Sequence, residues 1–188
     1  METILSLCIG ISLSAACGFR VFVPLTIMSL AAHTGHLTLA SGFQWIGSEP
    51  ALIAFSVATV LEIAGYYVPW VDHVLDVAAT PVAIVAGTIV TASMVSDMSP
   101  FLRWTTGLIA GGGAAGLIQA GTVLLRGASL AGTGGLANPV FATAELGGSI
   151  FTSVTALFAP LVAVGLIAVI VVVASRRLLR IRTPATAG

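Results

Sequence analysis

Residues 146–175, LGGSIFTSVTALFAPLVAVGLIAVIVVVAS, run without one charged side chain and lead directly into Arg176-Arg177. An ionised group at mid-bilayer costs about 2.5–3.5 kcal/mol even on an insertion scale, so an uncharged run of this length marks membrane helix. Residues 3–19, 77–96 and 104–125 are equally free of charge; 21–48 is interrupted only by His33 and His36, and 51–68 only by Glu62. A span needs about 20 apolar residues. The spacing therefore predicts six helices, 3–18, 20–38, 51–68, 74–95, 103–126 and 147–175, or five spans if the short first one does not cross. Composition agrees: 57% of the 188 residues are hydrophobic, 7% are charged and the net charge is zero, with a mean hydropathy of +1.10. Soluble domains carry roughly 25% charged residues. The chain reads as an all-α polytopic membrane protein, a single domain over 1–182 with a disordered tail at 183–188. The composition excludes a disulfide scaffold, a disordered chain and a nucleic-acid partner.

Orientation is read from the seven arginines, there being no lysine. Arg176, Arg177, Arg180 and Arg182 follow the last apolar run and Arg103 opens the fifth. A cytoplasmic C-terminus at the inner membrane places five of the seven inside. Six spans then bring the N-terminus inside as well. No positive segment precedes the first apolar run, so a cleaved signal peptide is not expected. Cys8 and Cys17 lie too far apart along one helix to bridge.

The fifth helix carries Gly107, Gly111, Gly112 and Gly116 at small-xxx-small spacing. Such a ridge lets backbones approach closely in lipid, whether the neighbour is another helix of the chain or, in a homo-oligomer, a second copy. The Gly-rich stretch 127–135, followed by Asn138-Pro139, reads as a long loop reaching Glu145 and dipping in part toward the membrane.

Few ionisable residues remain, and the six-helix arrangement sends them to one half of the bilayer, the outer one. Arg20 starts the second helix; Glu62 lies about 10 Å inside the third at 1.5 Å per residue. Asp72, His73 and Asp76 open the fourth, Arg126 closes the fifth, and Asn138 and Glu145 precede the sixth. Asp72 and Asp76 share a helix face at i and i+4. With Glu62 and Glu145 they supply up to four hard oxygen ligands, and Asn138 a neutral fifth, a set suited to a divalent cation or to a proton. Arg20 supplies the counter-charge. Each residue also has a plainer use: Asp72 as a helix cap, Asp76 and Glu145 as first-turn acids, Arg20 as the ion-pair partner of Glu62 or Asp72. Glu62 is too deep in its helix to cap it. Catalytic signatures such as His-Glu-x-x-His or Cys-x-x-Cys do not occur, so neither an enzyme nor a resident cofactor is expected, a divalent cation apart.

Gly18-Phe19-Arg20-Val21-Phe22-Val23-Pro24, Leu61-Glu62 with Val68-Pro69-Trp70-Val71-Asp72, and Gly134-Gly135-Leu136-Ala137-Asn138-Pro139 with Glu145 together resemble the bacterial integral-membrane family known as domain of unknown function 4126. The resemblance extends over about residues 5–175. It implies a helical membrane fold and singles out Arg20, Glu62, Asp72, Asn138 and Glu145 for test, without implying an activity. The residues themselves favour a small transporter or channel-like protein for an inorganic cation or a proton-coupled solute. The competing expectation is an accessory membrane subunit whose buried ion pairs fix helix packing.

Overall fold

A computed structural model describes the backbone of residues 2–182; the side chains of residues 69, 70, 72, 73, 174, 175 and 177–182 are outside that description. The tail read as disordered, 183–188, lies outside the described residues. Seven α-helices follow one another: α1 Glu2–Cys17, α2 Phe22–His33, α3 Glu49–Gly65, α4 Pro69–Met94, α5 Pro100–Thr133, α6 Asn138–Phe158 and α7 Pro160–Arg182, with a 3₁₀ turn at Gln44–Gly47 before α3. No strand occurs among the described residues. Val74–Met94, α5 and α6 are long and apolar enough to cross a bilayer; α1, α2 and Pro160–Val173 are shorter apolar helices.

Proline sets most of these boundaries. Pro50, Pro69, Pro100, Pro139 and Pro160 each stand at or next to the first residue of a helix. There the missing N–H costs nothing and the fixed φ suits the turn. Ser48 and Ser99 complete two of these starts by accepting from the amides of Ala51 and Leu102.

Two boundaries correct the reading of the sequence. The expected single helix 147–175 is broken at Ala159, whose φ of −144° and ψ of 67° leave the helical region. The residue before a proline is pushed out of that region by the ring. The expected loop at 127–146 is almost entirely helix: α5 continues to Thr133, Gly134 ends it with a left-handed φ of 63°, and α6 begins at Asn138. Gly127 and Gly132 stay helical because in lipid a helix is what satisfies their backbone groups.

The extra helix changes which face each end occupies. Ser149 on α6 donates to the carbonyl of Ala16 on α1 at 3.1 Å, and Glu145 meets Arg20, so the two helices run antiparallel. Ile167 and Val171 on α7 pack with Ala15 and Phe19, while Ala163 packs in the cluster around Leu13. Helix α7 therefore runs toward the Arg20 end of α1. The four-arginine run leaves on the same face as Arg20, not on the opposite one as six helices had implied.

Small and hydroxylated residues share the interior with apolar side chains such as Leu13, Met28, Ile46 and Val90. Leu61, Val77, Leu117 and Val169 are exposed on the outer faces, whereas Ser12, Ser14, Thr91, Ser149 and Ser153 are fully buried. Ser14 Oγ donates to the carbonyl of Gly87 at 2.6 Å and lies 2.8 Å from Thr91 Oγ1. The glycine ridge faces α4 of the same chain. A Cβ on Gly107 would stand 2.7 Å from the Thr88 carbonyl, one on Gly112 2.6 Å from Thr88 Oγ1, and one on Gly116 3.1 Å from Ile84. Over Gly107–Gly112 the helix opens into a π segment.

Among the described residues Ser12 and Ser153 have buried hydroxyls with no hydrogen-bond partner, while Ser14 has two. Ser153→Ala is therefore expected to leave stability unchanged or slightly raised. Ser14→Ala should cost about 0.6 kcal/mol and at most ~1.7, the range found for interhelical hydrogen bonds in membranes. Unfolding of the detergent-solubilised variants side by side checks the ordering.

Candidate functional site

The site is built around the joint between α1 and α2. Gly18 allows it: a Cβ there would stand 2.5 Å from the Ala115 carbonyl, so α5 lies directly against the turn. The first amides of α2 lack a local acceptor, since Val21 at the cap position provides no side-chain hydrogen bond. Glu62 supplies it from α3, accepting from Val21 N at 2.8 Å and Phe22 N at 3.0 Å. Glu62 thus caps a helix other than its own, and its charge faces the positive end of α2.

Arg20 is 2% exposed. Its Nη2 donates to the Ala142 carbonyl at 2.9 Å and lies 3.4 Å from Glu145 Oε2. Among the described residues Arg20 thus pairs with Glu145 and not with Glu62, while the other expected partner, Asp72, has its side chain outside them. Arg126, also buried, grips the same carboxylate as a fork, Nε donating to Oε1 at 3.0 Å and Nη2 to Oε2. Its Nη1 lies 3.4 Å from Asp76 Oδ1. Tyr66, which follows the last turn of α3, holds its ring against both cations, 3.6 Å from Arg20 Cζ and 4.4 Å from Arg126 Cζ. Planar guanidinium groups suit this combination of fork and ring contact better than ammonium groups.

The structure thus brings together Arg20, Glu62, Asp76 and Glu145 from the sequence-derived set. Asn138 opens α6 two turns before Glu145 on the same helix. The backbone of α4 places Asp72 one turn before Asp76, but the side chains of Asp72 and His73 lie outside the described residues. Of the expected divalent-cation set of Glu62, Asp72, Asp76 and Glu145, the three acids with described side chains each have a partner. Asp76 and Glu145 turn to Arg126, and Glu62 turns to backbone amides. Among the described residues no group of three or more His, Cys, Asp or Glu side chains could hold a metal ion.

Two residues central to the site escaped the reading of the sequence. Arg126 looked like the end of a helix, because the glycines after it read as a loop; α5 in fact continues for two more turns. Tyr66 carries no charge, so the scarcity of charges did not single it out. Its contacts become visible only when α3, α5 and the α1–α2 joint are placed together.

The acids differ in access. A cleft of about 310 Å³ opens between the start of α2, the C-terminal half of α3 and α4, and among the described residues its wall is apolar apart from Glu62 and Tyr66. Glu62 forms no ion pair among the described residues. The site therefore contains two arginines against three described carboxylates, and the carboxylate without an arginine is the one that lines the cleft.

No functionally curated protein matches this chain, and no solved structure does either. The sequence profile of one family matches residues 7–180, nearly the whole helical domain. That span contains the α1–α2 joint, Glu62, Arg126 and Glu145, so every element of the buried ion network lies within it, and the chain belongs to the membrane-protein family described as domain of unknown function (DUF4126).

Proposed function

We propose that this chain is a small proton-coupled transporter of the cytoplasmic membrane, with Glu62 as the carboxylate that takes and releases the proton. The observation that carries the reading is the difference between Glu62 and its neighbours. Asp76 and Glu145 are held by arginines, whereas Glu62 lines an open cleft and is held by two backbone amides. Intramembrane acids mark ion and proton pathways more often than they serve packing alone. A proton on Glu62 turns one acceptor oxygen into a hydroxyl, which weakens one of the two bonds to the start of α2. Protonation at Glu62 is thereby linked to the contact between α2 and α3. With Arg176, Arg177, Arg180 and Arg182 on the cytoplasmic side by the positive-inside rule, the network belongs to the cytoplasmic half of the bilayer. This revises the outward placement expected from six helices.

Proteoliposomes loaded with a pH-sensitive dye test the proposal. An imposed inward proton gradient should acidify vesicles containing the wild type faster than protein-free vesicles. Glu62→Gln should reduce the protein-dependent rate at least tenfold while eluting as a folded species. A wild type no faster than empty vesicles, or a variant as fast as the wild type, rejects the proposal.

The accessory-subunit reading draws on a specific observation too: Arg20 and Arg126 tie α1, α5 and α6 together through Glu145. On that reading Glu62→Gln changes stability alone, and no flux depends on the protein.

A further inference from the structure

We propose that the cleft between α2, α3 and α4 binds a lipophilic monocation, with its charge against Glu62 and its apolar body among Phe22, Leu61, Leu75 and Val82. This names a substrate class for the transporter and rests on that reading. The cleft, at about 310 Å³, is within the range of small-molecule sites, which are mostly apolar with a few placed polar groups. Its chemistry selects among ligands by elimination. A divalent inorganic ion needs about six or more oxygen ligands, and among the described residues this wall offers one carboxylate and one phenol. An anion would face Glu62 with no cation among the described lining residues. A neutral solute would bury the carboxylate further without compensating its charge.

An alkylammonium or similar organic cation meets both requirements. Its charge needs few ligands, and each Glu62 oxygen still has a lone pair beyond the one facing an amide. Its hydrocarbon fills the rest of the cleft, where Phe22 adds an aromatic face for a cation. The mouth is itself apolar: Leu61 is 66% exposed and Val82 42%. These residues lie on lipid-facing helix surfaces, so a ligand enters from the hydrocarbon and must itself be lipophilic.

The probe is radiolabelled benzyltrimethylammonium, bound to the full chain in nanodiscs, with empty nanodiscs subtracted. The wild type is expected to bind it saturably. Glu62→Gln and Ala58→Phe, which fills the cleft without touching the charge, should each weaken binding at least tenfold. Glu62→Asp, retaining the charge, should keep most of it. The neutral isostere neopentylbenzene should not compete at equal concentration. Absence of saturable binding to the wild type overturns the proposal, as does undiminished binding in both weakened variants. Equal competition by the neutral isostere on the wild type overturns it even if a variant fails to fold. Proton flux without cation binding removes this inference and leaves the proton pathway; saturable binding without flux retains the site and removes the coupling.

Discussion

Arg126→Met is expected to cost about 3–5 kcal/mol of stability, the usual cost of removing one partner from a buried ion pair. The reason is what remains behind. Glu145 loses its two-toothed donor and keeps only Arg20 among the described residues, and Asp76 loses the guanidinium 3.4 Å away. Tyr66 loses one of the two cations against its ring. Arg126→Lys should fall between, since an ammonium keeps the charge and cannot reproduce the fork. The double variant Arg126→Met with Glu145→Leu should recover much of the loss, because a well-packed apolar pair costs less than a lone buried charge. Unfolding midpoints in detergent measure all of this. A single variant as stable as the wild type would mean that the network contributes nothing to the fold.

Gly111→Val carries the second large effect. Its Cβ would overlap the Gly87 carbonyl and the Thr91 side chain, both in the tight contact between α4 and α5. The helices must separate to admit it, and Ser14 then loses its bonds to Gly87 and Thr91. Overpacking of this kind costs about 1–3 kcal/mol and sometimes more, and we expect the top of that range. Gly121→Ala is the control: no heavy atom lies within 4 Å of its added Cβ. It should raise stability by about 0.5–1 kcal/mol, the gain in helix preference of alanine over glycine. The difference between the two variants separates packing from propensity. A Gly111→Val protein that unfolds with the wild type would show that the ridge is not a close helix contact.

The site was partly legible before any coordinates. Arg20, Glu62, Asp76 and Glu145 stood out because charges are scarce in a chain that must sit in hydrocarbon, and scarcity made each one informative. Their partners were not legible. Glu62 lies too deep in its own helix to cap it; the helix it caps begins 40 residues earlier in the chain. Arg126 was misjudged for a related reason. Glycine marks loops in water, whereas a lipid environment holds Gly127 and Gly132 in the helix and carries Arg126 inward with it.

By itself the sequence determined the membrane environment, the all-helical class, the family and the small set of buried charges. These follow from local quantities: the length of uncharged runs and the cost of placing a charge in lipid. Tertiary structure decided the rest. It set the shared face of the arginine run and the ion network, the burial of the glycine ridge against α4, and the pairing of Glu145 with two arginines. Each depends on which helix lies beside which, and in hydrocarbon that choice rests on close packing and on polar groups finding each other across the chain.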